Sequence, residues 1–317
     1  MRMLVLARRL AAALSLLILL SNAAVGQSPE LIEAYDQARA LRQQGRYAEA
    51  IPFTQKAYGL ALVEFGPDNA DTAALIDQLA QLHKALGDYA GAEPLFRQSL
   101  AIFDKVLGPD HPDVAISINN LATLYLDQGD YGEAEPLLRR SLDIMERSLG
   151  PEHPSVAASL NNLAGLYWDQ GEYSKAEPLF LRSLAIRQRV SGPEHPDVAQ
   201  SLNNLALLYQ NQGDHSTAEP LFLRSLAIWE KSLGPEHPDV AVALQNLATL
   251  HRDQGDYAAA EPLFQRSQEI WERTLGPDHP SVAVGLKNYA VLLRETGRLD
   301  EARELEARAA AIRAKQN

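Results

Sequence analysis

Five histidines stand beside carboxylates at a fixed spacing. His111, His153, His195, His237 and His279 each lie in a variant of GPEHPDVA, which occurs letter for letter at 192–199 and 234–241. Imidazole next to carboxylate is raw material for zinc ligation or for general-base chemistry. Zinc, however, needs its ligands within about 2.0–2.3 Å of one atom. Equivalent residues of neighbouring units are at least one helix spacing apart, roughly 8–10 Å. Each histidine has one acid in its own loop, too few for a closed site. The spacing reads instead as a joint. Gly ends a helix, Pro cannot continue it, and the residue before Pro is held extended. His111-Pro112 then opens the next helix, with Asp113 near the positive end of its dipole.

Other catalytic chemistries meet the same obstacle. Ser117, Ser159 and Ser201 recur at one helical position, and so do the pairs Asp127/Asp130, Asp169/Glu172 and Asp253/Asp256. A group copied in every unit serves the unit first, whereas an active site needs one asymmetric constellation. There is no cysteine, no Gly-rich phosphate loop and no HExxH. The sequence predicts no enzyme: no catalytic residue, no metal site and no cofactor.

The elements that hold these residues repeat every 42 positions. Gly45, Gly87, Gly129, Gly171, Gly213, Gly255 and Gly297 keep that phase, and each is followed five residues later by alanine (Ala50 to Ala302). Within 116–131, Ile118, Leu121, Ala122 and Tyr125 form an i, i+3, i+4, i+7 stripe, which predicts a helix. Gly129 then suits a left-handed C-cap, and Asp130 can cap a second helix with Ala134, Leu137, Leu138 and Leu142 on its inner face. His83 and His251 fill the inner slot that holds Tyr125, Tyr167 and Tyr209 elsewhere, which reads as core. A lone helix pair cannot bury such stripes, so units must stack. Pro94, Pro136, Pro178, Pro220 and Pro262 recur inside the second helices, and the sequence suggests that they bend them.

The first 26 residues stand apart. Arg2, Arg8 and Arg9 precede the apolar run Leu10–Leu20, and Ala24-Val25-Gly26 offers a small-x-small cleavage point, the pattern of a signal peptide. Eleven residues fall short of the ~20 that span a bilayer. The expectation is an exported, periplasmic or secreted protein cleaved near Gly26, with no stable membrane insertion afterwards. Three of the 29 basic residues lie in that leader, leaving 26 against 41 acids, a balance of −15. An acidic surface of that kind excludes nucleic acid as a partner.

The stretch NNLAGLYWDQGEYSKA (161–176) resembles the tetratricopeptide repeat, N-L-A/G-x-x-Y-x-x-x-G-x-Y-x-x-A, and the 42-residue period with AEPLF and GPEHP resembles its kinesin-light-chain variant. The resemblance implies an all-α fold, a right-handed superhelical α-solenoid of about seven antiparallel helix pairs. It also implies a groove lined by the first helices, and binding of a protein or peptide without catalysis. The expected organisation is a leader, 1–26, and a single solenoid, 27–317, with units near 29–65, 66–107, 108–149, 150–191, 192–233, 234–275 and 276–317.

Residues that the repeat does not copy are the candidates for binding. Counted from the apolar stripe, two adjacent positions of each first helix face outward: Asn119/Asn120, Asn161/Asn162, Asn203/Asn204, Gln245/Asn246 and Lys287/Asn288. Side-chain amides can clamp an extended peptide backbone or bond the neighbouring helix, and the sequence leaves both open. The first of each pair varies more and is expected to be what a partner reads. Trp168 replaces Lys84, Leu126, Gln210, Arg252 and Arg294 of other units and is expected to be an exposed anchor. Leu126 and Leu207 extend its apolar surface, while Arg252, Lys287 and Arg294 make a basic end for an acidic group of the partner. Trp229 and Trp271 are placed in the core or on the outer surface. The sequence therefore predicts a monomeric interaction scaffold. The alternative is a structural or self-assembling envelope component without a discrete ligand.

Overall fold

The structure, a computed structural model, describes residues 28–315, so the proposed leader and its cleavage point lie outside the described residues. Fourteen α-helices and no strand occur among them. The first helices of the units are α1 (Pro29–Gln43), α3 (Ala70–Ala85), α5 (Pro112–Gln128), α7 (Pro154–Asp169), α9 (Pro196–Asn211), α11 (Pro238–Asp253) and α13 (Pro280–Glu295). The second helices are α2 (Tyr47–Glu64), α4 (Tyr89–Leu107), α6 (Tyr131–Leu149), α8 (Tyr173–Ser191), α10 (His215–Leu233), α12 (Tyr257–Leu275) and α14 (Leu299–Ala314). They fall into two compact units, described over 28–171 (α1–α7) and 172–315 (α8–α14). Within each, a helix packs chiefly on its predecessor and its successor, the contact pattern of an α-solenoid.

The joints have a defined chemistry. His111 is extended (φ −77°, ψ 140°) and its Nδ1 accepts the Asp113 backbone N–H at 3.1 Å. His153, His195, His237 and His279 do the same to Ser155, Asp197, Asp239 and Ser281 at 3.2 Å. Each histidine is thus the N-cap of a first helix, and satisfies one donor that the helix leaves free. Asp130 caps α6 by accepting from the Glu133 N–H at 3.3 Å, and Ser28 caps α1 through Leu31. Gly129 is left-handed (φ 80°, ψ 12°), and the next N–H, of Asp130, returns to the Tyr125 carbonyl. Gly108, at φ 86° and ψ 155°, occupies a region essentially closed to other residues, which is why the linker opens on glycine.

The stripes are buried as their spacing requires. Ile118, Leu121, Ala122 and Tyr125 are all in the core, as are Ala134 and Leu138 opposite them; Leu137 and Leu142 are half-buried. The seven alanines from Ala50 to Ala302 have no exposed surface, which lets each helix pair close tightly. Trp229 and Trp271 belong to a core cluster with Ile228 and Ile270. His83 and His251 are half-buried, and His83 bonds Asp88 at 2.7 Å. The helices run unbroken through Pro94, Pro136, Pro178, Pro220 and Pro262, all on exposed faces where water can satisfy the carbonyl that proline leaves unpaired. No described helix is long and apolar enough to cross a membrane.

Candidate functional site

The amides of the first helices form a ladder. Asn120 Nδ2 donates to Asp77 Oδ2 at 2.9 Å, and Asn162 Nδ2 to Asn119 Oδ1 at 2.8 Å. In the second compact unit Asn246 donates to Asn203 at 2.8 Å and Asn288 to Gln245 at 3.2 Å. Every rung spans 43 residues, so the later position of one unit reaches the earlier position of the unit before. The stack-holding role is therefore real for these residues. It uses only part of each amide, because a side-chain amide carries two donors and an acceptor with two lone pairs.

Exposure differs from the sequence expectation. The earlier position was expected to face outward, yet Asn161, Asn203 and Gln245 are buried at 7%, 2% and 3% exposure. Asn119 is half-buried and Lys287 alone is open. For Asn203 and Gln245 the ladder contributes to burial, since each accepts from the amide of the next unit, which covers it. Asn120 is buried with its Asp77 partner; Asn162, Asn204, Asn246 and Leu207 are half-buried. Trp168 is also corrected: it is 8% exposed, and Leu126 7%, so neither is an open anchor.

The charged edge is largely self-neutralised. Arg252 pairs with Asp253 at 2.6 Å and lies 3.9 Å from Glu295; Arg294 pairs with Glu306 at 2.7 Å. Lys84 lies 3.3 Å from Asp127, and Gln210 donates to Asp253 at 2.9 Å. The expected basic end thus reduces to Lys287, which has no ion pair among the described residues. No group of three His, Cys, Asp or Glu side chains able to hold a metal occurs among them either.

A second set of ties was not legible beforehand. Tyr125 donates its hydroxyl hydrogen to Glu93 at 2.8 Å, Tyr167 to Glu135 at 2.6 Å and Tyr209 to Glu177 at 2.7 Å. Each joins a first helix to the second helix of the preceding unit. The Tyr125 hydroxyl and Arg97 together hold the Glu93 carboxyl below its usual range. Burial, then the bond to Glu177, pushes the Tyr209 phenol up to about 12. The last unit lacks a tyrosine at this place, where Leu293 stands; Tyr289, one helical turn earlier, donates to Glu261 at 2.7 Å instead. The glutamate of AEPLF was the available signal, but its partner lies 28 or 32 residues away.

Two further positions break the pattern. Arg187 takes the core slot of Phe103, Met145, Trp229 and Trp271 and is 6% exposed. Its NH1 donates to the Asp197 carbonyl, Gln200 and Ser201, with no carboxylate in contact among the described residues, and burial lowers the guanidinium's affinity for its proton. At Gly285 an added Cβ would lie 2.7 Å from Gln268 Oε1 and 2.9 Å from the Trp271 ring, so only glycine fits undisturbed.

Ladder, joints and ties define a class: stacked helix-pair repeats whose conserved phase serves the stack. The chain matches the tetratricopeptide repeat model over 30–105, 74–147, 113–189, 155–222, 197–267 and 246–315, and it belongs to that family. Such repeats are protein-interaction scaffolds and are in general not catalytic. Among solved structures the chain is similar to BtubC (BKLC) from P. vanneervenii, at 26% identity and TM-score 0.58, over 74% of this chain and 92% of that one. It is also similar to a putative kinesin light chain from Podosopora anserina with nearly identical repeats, at 32% identity and TM-score 0.52, over 65% and 98%. The kinesin-light-chain form of the repeat is thereby borne out. Aspartyl phosphate phosphatase F from Bacillus subtilis shares the fold alone, at 17% identity and TM-score 0.68, over 90% of this chain and 70% of that one. No curated protein matches.

Proposed function

We propose that the protein is an exported, monomeric scaffold that binds an extended segment of a partner protein along its first helices. What carries this is the half-used amide row. Asn162, Asn246 and Asn288 each commit one N–H to the stack and keep a carbonyl and a second N–H, the groups that pair with a peptide backbone whatever its sequence. Within 28–171 the binding face comprises Asn119 and Asn162, over a floor of Asn120, Leu126, Asn161 and Trp168; within 172–315 it comprises Asn204, Leu207, Asn246 and Asn288, over Asn203 and Gln245. An acidic group of the partner goes to Lys287, because Arg252 and Arg294 are engaged by the protein's own carboxylates.

Panning a random peptide library against residues 27–317, then mapping hydrogen exchange with a selected peptide bound, tests this. Protection is expected at 119–127, 161–169, 203–211 and 245–253. Lys287→Glu should weaken acidic peptides about tenfold or more. A footprint confined to the second helices, or no selected peptide at all, would overturn it.

A further inference from the structure

The ladder has one odd rung. Where the other earlier positions hold Asn119, Asn161, Asn203, Gln245 or Lys287, the α3 rung holds a carboxyl, Asp77, with no exposed surface. Both of its hydrogen bonds fall on one oxygen: Oδ2 accepts from Asn120 Nδ2 at 2.9 Å and from Gln81 Nε2 at 2.6 Å. The other oxygen, Oδ1, is buried without a hydrogen-bond partner among the described residues. The donors are neutral amides, so the charge of an ionised Asp77 meets no cation in contact among the described residues. Two cations face it from further off: Arg42 of α1, whose NH1 donates to Gln78 at 2.9 Å, and Lys84 of its own helix, which lies 3.3 Å from Asp127 of α5. Both are already engaged. A buried carboxylate so placed costs several times what the amide of the other rungs costs.

We propose that the Asp77 rung is a proton-controlled joint, which holds α3 and α5 together firmly when Asp77 is protonated and loosens them when it ionises. Burial, opposed by Asn120, Gln81, Arg42 and Lys84, pushes the carboxyl up to about 6 from its ordinary 3.8. The folded value is raised, so the folded state binds the proton more tightly. The stabilisation is complete below about pH 4 and is lost as pH rises through about 6. The rungs of the second compact unit, made only of amides, have no such dependence.

Hydrogen exchange on residues 27–317 between pH 4.5 and 7.5, corrected for the intrinsic exchange rate, tests the joint against Asp77→Asn, which restores the amide of the other rungs. Protection of α3 and α5 is expected to fall about tenfold or more across that range in the natural protein. It should stay flat in the variant, and α11 and α13 should not differ between the two proteins. Equal profiles for α3 in both would overturn the proposal. The carboxyl carbon shift of Asp77, followed by NMR in the natural protein, supplies a check that needs no variant. A midpoint near 4 would overturn it equally.

Discussion

Asn162 of α7 donates to Asn119 of α5 across 2.8 Å, and the two residues lie 43 positions apart. The bond is part-buried and neutral, of a kind whose net worth is about 1 kcal/mol. Truncating one partner leaves the other unsatisfied, which costs more than losing both. Asn162→Ala is therefore expected to destabilise by about 1–3 kcal/mol. The double variant with Asn119→Ala should cost less than the sum of the singles. A urea-denaturation cycle measures the coupling, and strict additivity would mean that the rung contributes nothing.

The histidine joints make a prediction of different character. His237 caps α11 through one accepted hydrogen bond to the Asp239 N–H, at 3.2 Å. His237→Ala should cost about 0.5–2 kcal/mol and His237→Asn should recover most of it, since asparagine is a strong N-cap. If neither variant changed the denaturation midpoint, the cap would be energetically idle.

Arg187 sits in a slot that Met145 and Trp229 fill elsewhere, and among the described residues its charge has no carboxylate in contact. Replacing a buried charged group by an apolar one of similar volume is often neutral or stabilising by about 1–4 kcal/mol. Arg187→Met is expected to match or exceed the natural stability. A loss above about 2 kcal/mol would show that the three hydrogen bonds of NH1 outweigh its desolvation.

The same substitution at two helical glycines should have opposite signs. Gly165 has nothing within 4 Å of an added Cβ, so Gly165→Ala should stabilise α7 by up to about 1 kcal/mol. At Gly285 the Trp271 ring stands at 2.9 Å, and the strain of overpacking, about 1–3 kcal/mol, should outweigh that gain. Equal shifts in thermal midpoint at the two sites would contradict the packing at Gly285.

Tyr209 should be among the last of the 11 tyrosines to ionise. Its folded value, about 12, is raised by burial and by Glu177, so the stability it contributes is complete below about pH 10 and is lost as pH rises through about 12. Ultraviolet titration of the phenolate should show a late component that Tyr209→Phe removes. A titration of unchanged shape would show that the Glu177 tie opens early.

How much of this the chain declares depends on the range of each interaction. Gly129, Asp130 and His111 act within three residues of themselves, so their spacing alone placed the caps and joints. Ala122 and Ala134 followed from helical periodicity. The outward reading of Asn203 and Trp168 failed because the period of one helix says nothing of how far neighbouring structure covers its face. The pairings of Asp77 and Glu93 are illegible in the sequence for a related reason. Their partners, Asn120 and Tyr125, are 43 and 32 residues away, and atom-to-atom pairing between units leaves no local mark. Tyr289 shows the limit well. It keeps the tie to Glu261 from a position one turn out of phase, which an aligned repeat would score as a loss.

The amide row also has a direction. In every described rung the later unit gives the hydrogen and the earlier unit receives it, and the last receiver is Gln245. One unit further on, the receiving place holds Lys287, whose ammonium has three donors and no lone pair to offer. Any group that meets Lys287 must therefore offer an acceptor, a carbonyl or carboxylate oxygen, where the other rungs are met by an N–H. The row thus runs one way through its amides and reverses its polarity at a single side chain: what continues it past Gln245 must accept where the protein's own units give.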